Sequence, residues 1–266
     1  MSESTMQAPS EERRLLAVPP RANLGMTVWT LLRWTMAQTG AMLPLFVVVQ
    51  AAIAGAVIVG FGLLIPDIDT PTAELLSTGA PTILILVIGL VLCPWGVAGA
   101  RTSGTFTYQR ALPVPRPLLL VSDLVVWLVI ALPGIPVTVL VAHLSYGIDY
   151  SFDWLLLAGA FVLTTVMAVS VGYAIAVLLS PMLSQLVSQV MVFFVMLFSP
   201  ITFPKDQLPD WFQAVHGLLP FQAAADLLRA GLLSDRFEPS GHALLVLVVW
   251  CLLGLTISVR AVIRRG

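Results

Sequence analysis

The chain has 266 residues, 58% of them hydrophobic and 10% charged, with a mean hydropathy of +0.97 and a formal net charge of −1. Soluble domains carry about 25% charged residues, so lipid, not water, must cover this much apolar surface. The charge balance argues against nucleic acid, which needs a basic footprint.

Residues 1–22 are polar and charged and carry prolines at their end, and they read as a cytoplasmic tail without structure. No signal peptide is expected, because the first long apolar run starts near Met42 and exceeds an h-region. Residues 23–38 place Leu24, Val28, Leu31, Leu32 and Thr35 near one helical face, with Thr30, Arg33 and Gln38 elsewhere. That pattern suits a helix lying along the membrane interface.

Six apolar runs follow, each long enough to cross a bilayer, which takes about 20 residues. They lie near 41–65, 80–100, 118–144, 154–180, 184–203 and 241–261. None alternates as a barrel strand would, so the expected class is an all-α integral membrane protein with six transmembrane helices. Ala52, Ala56 and Gly60 in the first span, and Ala168, Gly172, Ala176 and Ser180 in the fourth, recur every four residues. Small residues at this spacing let helices approach closely, most simply within the chain. Pro94 should kink the second span, and Pro133 with Pro136 the third. Cys93 and Cys251 lie in apolar runs and read as small hydrophobes.

Basic residues set sidedness. Arg13, Arg14, Arg21, Arg33, Arg101, Arg110, Arg116, Arg260, Arg264 and Arg265 fall on one side of a six-helix layout. Lys205, Arg229 and Arg236 fall on the other, among ten carboxylates from Asp67 to Glu238. Both termini are therefore expected in the cytoplasm. The segment Phe198–Leu233 then faces out. It is too polar and too broken by proline for a span, yet too apolar for a solvated loop. Pro204 and Pro209 open one short helix and Gly217 and Pro220 end it. A second runs from Phe221 to Ala230, capped by Gly231. Asp226 and Arg229, three residues apart, can pair.

Catalytic and metal-binding patterns are missing. His143, His216 and His242 are scattered and read as interfacial or hydrogen-bonded histidines; no HExxH or cysteine pair occurs. Asp123 sits near the inner end of the third span and should reach the interface or pair with an arginine of the adjacent loop. The pattern GxxxxGK[ST] is absent and the one lysine is Lys205, so the chain itself offers ATP no such site. On the fifth span, Gln185, Gln189, Val192 and Met196 share a face. That face is the candidate lining of a transport path, opposite Leu92, Trp95 and Gly99 of the second span, with ordinary helix packing as the alternative. Its methionine content suits an apolar or amphipathic substrate.

The stretch Arg101-Thr102-Ser103-Gly104-Thr105, followed by Leu112-Pro113-Val114-Pro115-Arg116, resembles the inner loop of the ABC transporter type-2 permease family. The outer stretch Phe203-Pro204, Leu208-Pro209-Asp210-Trp211, Leu219-Pro220 and Arg229 resembles the same family's signature between spans five and six. The resemblance implies one permease domain over 23–266, in a multi-pass protein of the bacterial inner membrane. It would be a non-enzymatic exporter subunit for a drug, antibiotic or lipid-like molecule, with lipid-linked glycan as the alternative cargo. It implies a second permease subunit, identical or related, and two copies of a separate P-loop ATPase carrying ATP and magnesium, with no cofactor on this chain. It assigns ATPase coupling to the loop 101–117, through Arg101, Thr102, Gly104, Thr105, Arg110, Pro113 and Arg116. It assigns an outer gate of two re-entrant helices to 204–233, with Phe203, Pro204, Pro209, Trp211, Pro220, Phe221, Asp226 and Arg229. Thr102 stands where the family commonly has glutamate, so an ion pair or cap expected there is lost. An ion-coupled carrier would need intramembrane carboxylates or broken helices in matching halves, and a non-transporting scaffold would need neither.

Overall fold

The computed structural model describes residues 24–40, 42–65, 68–105 and 116–264, without the side chains of Leu24, Gln38, Thr39, Arg116 and Arg264. The N-terminal tail, Arg110 and Pro113 lie outside these residues. Ten helices account for the described chain: α1 (Leu24–Gly40), α2 (Leu43–Leu64), α3 (Thr70–Thr102), α4 (Arg116–Ala131), α5 (Gly134–Tyr146), α6 (Trp154–Leu178), α7 (Pro181–Phe198), α8 (Asp210–Leu218), α9 (Pro220–Leu232) and α10 (Gly241–Arg264). No named strand occurs among the described residues; Ser151 and Leu233 form one isolated bridge. Six stretches are long and apolar enough to cross a membrane: α2, α3, α4 with α5, α6, α7 and most of α10.

The second span departs most from expectation. It starts ten residues earlier than hydropathy suggests, at Thr70, where the Asp69 carboxylate accepts the Thr72 N–H at 3.2 Å as an N-cap. The first three turns carry Glu74, Ser77 and Thr78, all buried. Packing against α9 shields these groups, so tertiary burial overrides composition. Span five is shorter than expected. Ser180 caps it, Pro181 opens it, and Ser199-Pro200 ends it.

Prolines and π-turns shape three spans, and α2 carries a π-turn over Ala56–Gly60. In α3 a π-turn over Ile88–Leu92 precedes Pro94, loosening the helix where proline removes a hydrogen bond. Pro133 ends α4, and α5 restarts at Gly134. Gln50 of α2, buried, donates from Nε2 to the Ile130 carbonyl at 2.9 Å beside this break.

α6 is the central post. It packs against α3, α4, α9 and α10. Its small residues explain how closely. A Cβ on Gly172 would lie 2.0 Å from the Gly89 carbonyl oxygen, and one on Gly89 would lie 2.4 Å from the Ala168 Cβ. A Cβ on Gly254 of α10 would lie 2.3 Å from Ser170 Oγ. The fourth-span repeat is thus packing within the chain. The first-span repeat is not: Ala52 and Ala56 are exposed and Gly60 meets nothing. Cys93 and Cys251 are buried and free, each with its sulfur toward an α6 carbonyl. α1 lies against α4, burying Leu31 and leaving Met26, Trp29 and Trp34 exposed. Asp123 is half-buried and forms no ion pair among the described residues.

Gly172→Ala should force α3 and α6 apart and cost about 1–3 kcal/mol, as overpacking does. Gly99→Ala, where the new Cβ meets nothing, is the control. Thermal unfolding in detergent should show a lower Tm for the first alone.

Candidate functional site

The candidate residues fall at two ends of the bundle. At one end α3 gives way to a turn at Ser103 and Gly104. Gly104 has φ +80°, a left-handed conformation that side-chain-bearing residues adopt at a cost of about 1–2 kcal/mol. The Arg101 guanidinium is turned inward. It donates to the Ala176 carbonyl and, at 2.6 Å, to that of Leu179. A cation at the C-terminal end of α6 satisfies carbonyls that the helix leaves open and meets the negative end of its dipole. Arg101 therefore straps α3 to α6. Thr102, where glutamate was expected, donates its hydroxyl to its own helix at Gly99 O (2.9 Å). Ser103 and Thr105 share a hydroxyl–hydroxyl bond at 3.0 Å.

Beside this turn, Trp95, Gly99 and Thr102 of α3 face Pro181 and Gln185 of α7 across an open cleft of about 320 Å³. Three expected path residues thus meet: Trp95, Gly99 and Gln185. The rest do not share their environment. Gln189 is exposed, and Leu92 is half-buried. Val192 and Met196 close instead on Ile83 and Leu86, around a gap of about 10 Å³. One shared face through Gln185, Gln189, Val192 and Met196 was expected along α7. The helix instead carries exposed apolar side chains such as Leu186, Val190, Phe193 and Leu197.

At the opposite end, α8 and α9 form a helical hairpin. Trp211, Val215 and Leu218 expose one apolar face of α8. Its last turn reaches α10, where Trp250 Nε1 donates to the Leu218 carbonyl at 2.9 Å. Trp250 is the tenth residue of α10, about 14 Å from the helix start at 1.5 Å per residue. The α8–α9 joint therefore sits beside the middle of α10. α9 is buried almost throughout, against α3, α6 and α10. Gly231 is no cap, as the sequence suggested, because α9 runs on to Leu232. Its missing side chain admits the Leu157 backbone, 2.8 Å from where a Cβ would stand.

Arg229 holds this end together. Its Nε donates to Thr78 Oγ1 at 3.1 Å, one terminal nitrogen to Asp226 Oδ1 at 3.1 Å, and the other to the Ile201 carbonyl at 2.9 Å. The guanidinium also stacks over Phe237, 5.6 Å from the ring centroid. Gly79 lets the Ile201 carbonyl approach α3, since a Cβ there would lie 2.4 Å from it. Burial raises the Asp226 carboxyl against the pull of Arg229, and lowers the guanidinium. Phe203, Pro204, Asp226 and Arg229 converge on one pocket of about 450 Å³ with Lys205 and Gln222. Pro220 and Phe221 lie in the core instead, and Pro209 and Trp211 are exposed. Glu74 pairs with Arg236, and Ser151 bonds Asp235, tying the adjoining loops to α3 and α9. No sequence signal linked these partners. His143 is hydrogen-bonded, with Nδ1 3.0 Å from the Ile148 carbonyl. His216 is not. It is fully buried, both nitrogens lack a partner, and its ring stands edge-on to Phe212 at 4.6 Å. No group of metal-ligating side chains occurs among the described residues.

Six apolar helices of membrane-crossing length define a multi-pass α-helical membrane protein. A family model described as ABC-2 type transporter matches residues 26–233, more than three quarters of the chain, and the chain belongs to that family. No curated protein matches it significantly. It is therefore the membrane-embedded permease subunit of an ABC-type transporter, and a partner ATPase subunit completes the transporter.

Burial lowers the His216 pKa from 6.5, so the closed hairpin holds the ring neutral. An opened hairpin binds a proton that the closed one resists, so closure weakens as pH falls below 6.5 toward the folded value. Backbone exchange over Pro209–Leu219, corrected for intrinsic rates, should rise across that interval and stay flat in His216→Phe. Arg229→Met leaves the Thr78, Asp226 and Ile201 acceptors without their shared donor. Asp226 stays partly solvated, so the loss is on the scale of hydrogen bonds to a charged group, about 1.5–3 kcal/mol, read as a lower Tm.

Proposed function

We propose that this permease subunit belongs to an exporter of the bacterial inner membrane. It moves an amphipathic molecule of drug, antibiotic or lipid-like character out of the cytoplasm or inner leaflet. Both termini are cytoplasmic on the basic-residue count. Residues 101–117 dock on the ATPase, and the α8–α9 hairpin is the re-entrant outer lid. The working unit holds two permease subunits, with the exposed apolar face of α7 available to the second copy, and two ATPase subunits.

The observation that carries this reading is an asymmetry along one pair of helices. The hairpin end of α3 is pinned by the Arg229 contacts to Thr78 and Ile201, beside the pocket of about 450 Å³. The other end of α3 opens, with α7, onto the Trp95–Gly99–Gln185 cleft beside the Gly104 turn. A bundle pinned at the hairpin end and cleft between α3 and α7 at the loop end supports loading from the loop side. The lining also favours an amphipathic cargo, because one indole and one amide stand among glycine, alanine and proline.

Copurification tests the assembly. A P-loop ATPase should travel with the chain in equal amount, and in vesicles ATP on the loop side should drive cargo toward the hairpin side. Movement with no ATPase present, or in the reverse direction, would sink the reading. A Cβ at Gly104 meets nothing among the described residues, and Gly104→Leu strains the turn by about 1–2 kcal/mol. It should leave the complex assembled and lower substrate-stimulated ATP hydrolysis. Gln185→Trp should fill the cleft and raise the cargo concentration needed for half-maximal stimulation.

A further inference from the structure

A second cleft, of about 310 Å³, lies away from the α3–α7 cleft, between α6, α9 and α10. Its walls are Leu155, Gly159 and Leu163 of α6, Leu227 of α9 and Leu244 of α10, with Asp153 at one end. Gly159 opens directly onto the cleft: nothing among the described residues lies within 4 Å of where its Cβ would be. Leu155 and Leu244 flank it and remain 86% and 46% exposed. On a membrane-spanning bundle such a surface faces hydrocarbon. An empty apolar groove forfeits dispersion contacts, and water finds no partners along its walls.

Length narrows the occupant. Asp153 to Leu163 is ten residues of helix, about 15 Å, or half of a hydrocarbon core about 30 Å thick. The groove therefore runs the depth of one leaflet, on the hairpin side of the bundle. Its upper end lies at an aromatic ladder, Tyr150 on Phe152 (5.7 Å) and Phe152 on Trp154 (4.8 Å), the residue types that favour the headgroup level.

Charge narrows it further. Asp153 Oδ1 accepts the N–H groups of Leu155 and Leu156, both at 3.1 Å, capping α6. Asp153 is exposed, and its second carboxylate oxygen has no partner among the described residues. No cation lines the cleft. A purely anionic headgroup would meet this carboxylate unfavourably. A headgroup with a primary ammonium beside its phosphate supplies the missing cation.

We propose that this cleft is a lipid site that holds one acyl chain of a zwitterionic aminophospholipid, with the headgroup ammonium on Asp153. The site requires only that the chain spans a membrane. It stands apart from the export reading and from the direction of transport.

Native mass spectrometry of the detergent-solubilised full transporter tests it, with dioleoyl phosphatidylethanolamine and dioleoyl phosphatidylglycerol added as competing probes. The wild type should retain one phosphatidylethanolamine per permease subunit in preference to phosphatidylglycerol. Gly159→Leu fills the groove and should weaken retention about tenfold or more, the scale of two buried methylenes. Asp153→Asn keeps the helix cap, since asparagine caps as well as aspartate. It should lower the preference for phosphatidylethanolamine about three- to fivefold, the scale of an exposed charge pair, while total lipid retained stays the same. Equal retention of the two lipids by the wild type would overturn the proposal, as would undiminished retention by Gly159→Leu. The Asp153→Asn readout stands even if Gly159→Leu fails to fold, and an unchanged preference in that variant would also overturn it.

Discussion

The hairpin end of the molecule depends on one buried cation. Arg229 reaches three elements at once: α3 through Thr78, the turn after α7 through Ile201, and its own helix through Asp226. A guanidinium suits this position because its planar fork sends separate N–H groups in separate directions and stays charged when desolvated. A lysine could satisfy one acceptor well, not three. Burying the charge is costly, and the pairing with Asp226 offsets only part of that cost. Affinity between helices is therefore a poor account of why the residue is there. Its effect is to make the α9 position, the end of α7 and the start of α3 one decision.

That decision propagates through α6. α9 lies on α6 where Gly231 admits the Leu157 backbone, and further along α6 the crossing with α3 is made by Gly172 against Gly89. Contacts this close transmit displacement, because side chains that could bend aside are missing. At its other end α6 is strapped to α3 by Arg101. α3 and α6 thus meet at the Gly89–Gly172 crossing and at the Arg101 strap, while α9 bridges the two helices at the far end. A movement at the Gly104 turn would have to shift this pair as a unit or act through the π-turn over Ile88–Leu92, where α3 is locally loosened.

The six spans were readable because lipid leaves backbone groups no alternative to the helix, and long apolar runs say so directly. The extension of α3 to Thr70 was hidden. Thr70 to Gly79 includes Glu74, Ser77 and Thr78, polar residues that read as loop until α9 covers them. The hairpin showed itself through its prolines, and its register did not. Gly231 looked like a cap because a glycine near a helix end usually is one, whereas close approach to Leu157 left the same signature. In the same way the Asp226–Arg229 pair was visible at a spacing of three, but Thr78 lies 151 residues from Arg229, beyond any local pattern.

The path residues fall in different surroundings, and the reason bears on how α7 is used. A helical face read from Gln185 to Met196 assumes that a single environment lies along it. In the structure α7 leaves α3 as a boundary helix whose polar and apolar positions meet different surroundings at successive turns: a cleft at Gln185, exposure at Gln189, a closed contact at Val192. A boundary helix with this much exposed leucine, valine and phenylalanine is finished by something outside the chain, either lipid or a second permease subunit. Glutamine at Gln189 discriminates between them on energetic grounds. An amide facing hydrocarbon without a partner is costly, whereas one facing a polar path or a facing helix is not. The turns of α7 are thus matched to different neighbours along its length, and the Gln185 turn is the one that faces α3 across the cleft.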